Sequence, residues 1–327
     1  MSAAERTVVT LGETMALLRA PEIGSLRHLG SLALGIGGAE SNVAVALRRL
    51  GVAVAWFGRV GDDPLGERVV RELRAEGVDV GAHVDPGAPT GLMLKERPTA
   101  ATTAVHYYRA GSAGSRLTAG DIPAGRIEEA ALLHVTGITP LLSPTAADAV
   151  RDVVARARAA GVTVSFDINY RSTLAAPSIA APLLREIAES ADIVFGGTSE
   201  LELISGTDAD TAAVALCAAG VAEVVIKRGA DGATAHIGSE VVDAPGFAID
   251  PIDTVGAGDA FVAGYVSVRL AGTGGRPAGA EASVVEALRR GNTCGAIACL
   301  GPGDWEGSPS LADLDRFHAV GADPVRR

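Results

Sequence analysis

Short apolar runs of buried-strand length alternate along this chain with segments of about a dozen residues in helical register, and that alternation constrains the fold more than any other feature. Val8 to Leu11 reads as a strand that stops at Gly12, and Val52 to Phe57 as the next. Leu132 to Val135, Val162 to Phe166, Ile193 to Phe195 and Val224 to Ile226 are later members of the set. Between them, Val43, Leu47 and Leu50 share a helical face closed by Gly51. Thr145 to Ala160 carries Val150, Val153, Val154 and Ala157 at helical spacing, with Gly161 as the stop. Runs without polar alternation belong to strands buried on both faces. Repeated βα units of this kind therefore imply an α/β fold, a doubly wound and mainly parallel sheet flanked by helices. Aromatic residues make up only 4% of the chain, so the core is built from Ala, Val, Leu and Ile, which suits such a sheet better than a β-sandwich.

Two segments break the rhythm. Residues 13 to 35 and 84 to 110 hold short alternating runs, among them Gly91 to Lys95 and Ala104 to Arg109, bounded by Pro and Gly. They read as antiparallel strands of a small accessory sheet, a β-sheet lid inserted into a single domain that spans residues 1 to 327. Ala271 to Gly279, rich in Gly and Pro, reads as a surface loop between two helices.

Charge and cysteine content remove several function classes. With 39 acidic and 28 basic residues the formal charge is −11, which offers no electrostatic footprint for nucleic acid or an anionic membrane. Cys217, Cys294 and Cys299 form no CxxC pair and no metal-ligand spacing, which points to a reducing compartment. The start of the chain has no signal-peptide pattern, and no later run is long enough to span a membrane, so the expected location is the cytoplasm.

The chemistry concentrates in Asp253-Thr254-Val255-Gly256-Ala257-Gly258-Asp259, which runs straight into an apolar helix. Glycines ahead of a helix let backbone N–H groups approach a ligand, and the helix N-terminus then cradles a phosphate. A carboxylate repels phosphate but can accept a proton from an attacking hydroxyl, so Asp259 at that end suits phosphoryl transfer. An N-terminal capping Asp after a flexible turn is the other reading.

The seven-residue run is similar to the second signature of the PfkB, or ribokinase, family of carbohydrate kinases. Gly37-Gly38-Ala39-Glu40-Ser41-Asn42 resembles its first, and the likeness runs from about residue 7 to about residue 315. The resemblance implies a ribokinase-like fold, with Asp259 as catalytic base and Gly256, Ala257 and Gly258 as anion hole. It implies Gly37, Gly38 and Asn42 as contacts to sugar hydroxyls, although on chemistry alone the glycine pair is also a plain turn before a helix.

Two further segments, Tyr107-Tyr108-Arg109-Ala110-Gly111-Ser112-Ala113-Gly114-Ser115 and Asp167-Ile168-Asn169-Tyr170-Arg171, resemble the 2-keto-3-deoxygluconate kinases of that family. A sugar acid carries a carboxylate that a pair of arginines recognises naturally, which assigns Arg109 and Arg171 to it and adds a hydroxyl contact from Tyr107. Either arginine could instead be a solvated charge or an ion-pair partner. Met93, in Gly91 to Glu96, stands where those kinases usually carry a Tyr, and Met donates no hydrogen bond to a sugar. The exact acid stays open on that account.

On the nucleotide side, Lys227-Arg228-Gly229-Ala230-Asp231-Gly232 resembles the family's nucleotide-binding turn, placing Lys227, Gly229 and Gly232 near ATP; as a bare pattern it is also an ordinary hairpin turn. Asn292 matches a position that contacts the adenine nucleoside, or else is a buried Asn bonded to backbone. Glu200 resembles the acidic end of an NxxE motif that organises Mg²⁺ through water, but Gly197 stands in the Asn position. Many family members hold a monovalent cation such as K⁺ beside the residue equivalent to Asp253.

The expected activity is ATP-dependent phosphorylation of a primary hydroxyl of a small sugar acid, with a homodimer paired through the lid as the expected assembly. A neutral-sugar or nucleoside kinase of the same family is the alternative, and a non-catalytic sugar-binding regulator is disfavoured by the intact Gly pair and Asp259. A dinucleotide oxidoreductase is disfavoured too, because Gly12-Glu13-Thr14 after the first strand lacks GxGxxG.

Overall fold

The structure, a computed structural model, describes residues 7–99, 102–271 and 281–320, with the side chains of 281–282 and 318–320 outside that description. The chain opens with β1 (Val8–Leu11), β2 (Met15–Arg19) and β3 (Ala33–Gly37), then α1 (Ala39–Arg49), β4 (Val54–Gly61), α2 (Pro64–Ala75) and β5 (Asp79–Asp85). A hairpin of β6 (Leu92–Thr99) and β7 (Thr102–Tyr108) follows, then β8 (Leu132–Thr136), α3 (Pro144–Ala160), β9 (Thr163–Asp167), α4 (Pro177–Glu189) and β10 (Ile193–Gly197). The last part holds α5 (Thr198–Ser205), α6 (Ala209–Ala218), β11 (Glu223–Lys227), β12 (Ala233–Ile237), β13 (Glu240–Ala244), α7 (Ala257–Ala271), α8 (Glu281–Ala298) and α9 (Leu311–Val320).

Nine strands make one sheet in the order β13-β12-β11-β10-β9-β8-β1-β4-β5. It is parallel from β11 to β5 and ends in two antiparallel strands, β12 and β13. Both faces are covered, as continuous apolar strands require. On one face Val153 and Val154 of α3 and Leu184 and Ile187 of α4 pack over Val9, Val164 and Val224. On the other, Val43 and Leu47 of α1 and Val262 and Val266 of α7 cover Val8, Leu132 and Ile193. Val8 and Val9 fall on opposite sides because successive strand side chains alternate. Local signals fix the helix ends. The Ser143 side chain accepts from the Ala146 N–H, Pro144 opens α3, and Gly161 closes it in the left-handed region at φ 70°.

The expected strands all form, with ends shifted by up to four residues, since β4 and β6 each run four residues beyond the expected stops at Phe57 and Lys95. β5 was not among them, because it is an edge strand whose half-exposed residues show no clean apolar run. The accessory sheet has the order β3-β2-β6-β7 over a small core of Met15, Leu17 and Met93. Its two hairpins are antiparallel as expected, but β2 and β6 pair in parallel. Some seventy residues of βα structure lie between those strands, enough for the long crossover that parallel pairing needs. Of the expected surface loop Ala271 to Gly279, Ala271 ends α7 and the remainder lies outside the described residues.

Helices α7 and α8 touch through their backbones. A Cβ on Gly264 would stand 2.8 Å from the Arg290 carbonyl oxygen and 2.9 Å from the Cys294 sulfur. One on Gly291 would press into the Phe261 ring. Below them Tyr265 donates to buried Glu223 at 2.6 Å and meets Phe195 edge-on at 5.2 Å.

Candidate active site

The site lies where β1, β8 and β9 end and α1 and α7 begin, the C-terminal edge at which doubly wound sheets bind ligands. Gly256 sits at φ +79°, a conformation that suits glycine, and its Cα lies so close to the Asp304 carbonyl that a side chain could not fit. Ala257, Gly258 and Asp259 form the first turn of α7, so their N–H groups begin the helix as the motif predicts. Asp259 is buried, and its Oδ2 accepts from Asn42 Nδ2 at 2.8 Å. Burial lifts the Asp259 carboxyl to about 7 against the bond from Asn42; Asp167 adds to the rise, and Arg171 and Lys227 oppose it. A carboxylate poised near neutrality is a suitable proton acceptor.

One cleft brings together Gly38, Asn42, Met93, Tyr107, Arg109, Arg171, Gly256 and Asp259. Gly38 precedes α1 and lies against the backbone of Glu13 and Thr14, so its lack of a side chain is also a packing demand. Gly37 lies just behind the cleft wall, against the Met93 methyl and the Asp304 carboxylate. Met93 is buried with Met15 and Leu17 and gives the cleft an apolar floor. The arginines differ. Arg109 is bound to buried Glu13 at 2.7 Å through Nε and 2.5 Å through a terminal nitrogen, and lies 5.7 Å over the Tyr107 ring. Ser112 also donates to Glu13. The Arg171 side chain makes no ion pair or hydrogen bond with the described residues, and Arg171 is exposed at the cleft. Asn169, at φ 37°, makes the turn between β9 and Arg171, a backbone state Asn tolerates.

A second cavity, of about 460 Å³, is lined by Lys227, Gly229, Gly232, Gly258, Phe261, Asn292 and Gly295, among others, and shares the α7 turn with the first. That volume suits a cofactor-sized ligand. Residues 227–232 are indeed the turn of an antiparallel hairpin, β11 to β12, and Lys227, Gly229, Ala230 and Gly232 of it line this cavity as well. Asn292 donates to the Ala244 and Pro245 carbonyls at 3.1 and 3.0 Å, so it is bonded to backbone while it faces the cavity. Lys227 Nζ is held by both oxygens of Asp167 at 2.7 Å each. Burial lowers its basicity, but Asp167, Glu200 and Asp259 outweigh that and hold it charged.

Glu200 spends one oxygen on the Tyr170 N–H at 2.8 Å and the other on the Gly197 N–H at 2.7 Å, capping α5. Burial raises its pKa, with Lys227 opposing. Among the described residues no group of three His, Cys, Asp or Glu side chains could hold a metal by itself. Mg²⁺ typically binds through one or two carboxylates plus substrate phosphates and water, and Asp167 and Glu200 are the carboxylates that would hold such an ion, through water, since their oxygens are engaged by Lys227 and by backbone N–H groups. A monovalent cation at Asp253 does not fit. The Asp253 Oδ2 is 2.6 Å from Lys95 Nζ and accepts from the Gly303 N–H at 3.3 Å, while Oδ1 accepts from the Val255 N–H at 3.2 Å.

Glu13, Asp167, Lys95 and Asp304 escaped the sequence reading of the site. Asp167 had a readable signal, an acid at a strand's C-terminal end in the same motif as Arg171. Glu13, Lys95 and Asp304 had none, since each acts through partners distant in the chain.

Comparison with known proteins fits this geometry. Residues 5–311 match the pfkB family carbohydrate kinase family, and the chain belongs to it. It is a sugar kinase with the ribokinase-like architecture of its relatives. It is 38% identical to a 2-dehydro-3-deoxygluconokinase of Bacillus subtilis, over 94% of each chain. With a 2-dehydro-3-deoxygalactonokinase of Haloferax volcanii it shares 36% identity, over 91% of this chain and 95% of the relative. A fructokinase double mutant from Vibrio cholerae, solved with fructose, ADP and potassium bound, superposes with a TM-score of 0.83 at 28% identity, covering 96% of this chain and 99% of that one. No helix among the described residues is long and apolar enough to cross a membrane.

Proposed function

We propose that this kinase transfers the terminal phosphoryl group of ATP to a primary hydroxyl of a small sugar acid, with 2-keto-3-deoxygluconate giving its 6-phosphate as the best-supported case. The observation that carries the sugar-acid reading is Arg171, a guanidinium that makes no ion pair or hydrogen bond with any described side chain and lies in the same cleft as Asp259, whose carboxylate it favours electrostatically. A ligand carboxylate is the natural partner for such a group. The names of the two curated relatives support the same substrate class.

ATP lies in the larger cavity, its transferring phosphate over the N–H groups of Gly256 to Asp259. Mg²⁺ carried by the nucleotide would neutralise phosphate charge, and Asp167 and Glu200 are the carboxylates that would hold it, through water. Asn42 holds the Asp259 carboxylate in place toward the cleft. Asp259 takes the proton of the sugar hydroxyl as its oxygen bonds to the terminal phosphorus; the bridging P–O bond breaks and ADP leaves. Lys227, held charged by Asp167, supports the negative charge that the turn must accommodate. The small sheet acts as a lid whose closure keeps water from the phosphoryl group.

Arg109 supports a second reading. Its tie to Glu13 leaves one guanidinium rather than two for a carboxylate, and a neutral sugar such as fructose needs none. An ATP- and Mg²⁺-dependent assay with 2-keto-3-deoxygluconate, its C4 epimer, fructose, ribose and adenosine separates the readings, with Asp259→Asn as control. Preference for either sugar acid, lost in the variant, supports the proposal; preference for a neutral sugar or nucleoside sinks the carboxylate argument.

A further inference from the structure

Lys95 is a buried cation that phosphoryl transfer as described leaves without a role. It sits in β6, in the otherwise apolar run Leu92-Met93-Leu94, and only 2% of its side chain is exposed. Its ammonium lies 2.6 Å from Asp253 Oδ2 and 3.1 Å from Asp304 Oδ1. Lysine is rarely so buried unless paired, and removing one partner of such a group strands the other charge.

The two carboxylates lie on the two loops that frame the anion-binding turn. Asp253 stands three residues before Gly256, and its Oδ1 accepts the Val255 N–H. Asp304 follows α8, and its backbone carbonyl packs on the Cα of Gly256, where no side chain would fit. The Gly303 N–H donates to Asp253 Oδ2, joining the loops directly. The ammonium thus closes a ring of contacts around the residue whose conformation aims the anion-hole amides. It contacts Asp253 Oδ2, which also accepts from the Gly303 N–H, while Oδ1 accepts from the Val255 N–H, so both carboxylate oxygens are engaged.

We propose that Lys95 is a built-in cation that holds the anion-binding turn, so that this kinase needs no exchangeable monovalent ion. The inference rests on the kinase reading of that turn. Lys95 acts as a positioning residue: it touches neither cavity and works through Asp253, Asp304 and Gly256.

The test compares wild type, Lys95→Met and Lys95→Arg in potassium chloride and in choline chloride at equal ionic strength, by steady-state kinetics and by thermal unfolding without substrates. For the wild type, kcat and melting temperature are expected to be the same in both salts. Lys95→Met is expected to lose about tenfold to a hundredfold in kcat in choline, the scale of misaimed rather than missing amides. Potassium should restore part of that loss and raise the variant's melting temperature, while Lys95→Arg stays indifferent to potassium. Activation of the wild type by potassium, or a potassium-specific rise in its melting temperature, overturns the proposal. So does full kcat for Lys95→Met in choline. Should Lys95→Met fail to fold, the wild-type and Lys95→Arg comparisons still decide. Should no sugar be phosphorylated, the kinase reading fails separately, and the melting comparison of the wild type still tests the cation.

Discussion

Replacing the base at Asp259 should make the protein more stable as it becomes inactive, and the gain should depend on pH in a defined way. Burial moves this carboxyl from 3.8 to about 7. In the interval between those values the unfolded chain has released the proton and the folded chain still holds it, so native stability falls as pH rises through that window. A shift of about 3 units at about 1.4 kcal/mol per unit makes the ionised group a liability of roughly 4 kcal/mol above pH 7. Asp259→Asn removes the ionisation, and the amide oxygen can still accept from Asn42 at the 2.8 Å the carboxylate now occupies. The variant should match the wild type near pH 4 and exceed it by roughly 8–16 °C in melting temperature near pH 8, at roughly 2–4 °C per kcal/mol. The assay is differential scanning fluorimetry of the free proteins across that range, paired with turnover. A difference that stays flat with pH, or a less stable variant near pH 8, would refute the account of Asp259 as a carboxylate held ionised against its burial.

Other perturbations test the rest of the site. In the wild type, kcat/KM should climb with pH up to about 7 and then level, because only ionised Asp259 accepts a proton; a profile flat from pH 5 to 8 contradicts it. Arg171→Met should raise KM for a sugar acid by about tenfold to a hundredfold, the value of a charge-assisted contact, and leave KM for a neutral sugar nearly unchanged. Gly256→Ala forces a side chain into the left-handed region and into the Asp304 carbonyl, so a loss of roughly 2 kcal/mol or more in urea unfolding is expected together with a collapse of kcat. Glu13→Gln strips Arg109 of its counter-charge and should cost about 3 kcal/mol in the same experiment, the scale of breaking a buried pair.

The sheet was legible because its strands are unbroken apolar runs, a local property, and the α7 turn was legible because seven adjacent residues carry the whole device. Asn42, Asp259 and Arg171 could be assigned from short motifs whose neighbours fix their direction. The tie between Arg109 and Glu13 could not, since it joins residues ninety-six positions apart and only folding reveals that the guanidinium is shared. Lys95 was hidden for the same reason: its partners are the distant Asp253 and Asp304, and a lysine in a strand ordinarily reads as solvent-facing. Asn292 shows both proposed alternatives at once, a backbone-bonded side chain that also lines a cavity.

The glycine-mediated contact of α7 with α8 bears on the order of events in a catalytic cycle. Asn292 and Gly295 belong to α8 and Ala257 and Gly258 to α7, so the close packing at Gly264 and Gly291 joins two walls of the larger cavity directly to each other. If ATP binds there as proposed, it meets walls already packed together, and docking costs little chain freedom. The small sheet rests on a much smaller core of its own, Met15, Leu17 and Met93. The acceptor cleft is therefore composite: Met15, Met93 and Tyr107 come from the small sheet, whereas Asn42, Arg171 and Asp259 come from the large body, so on the proposed reading a change of acceptor calls on both.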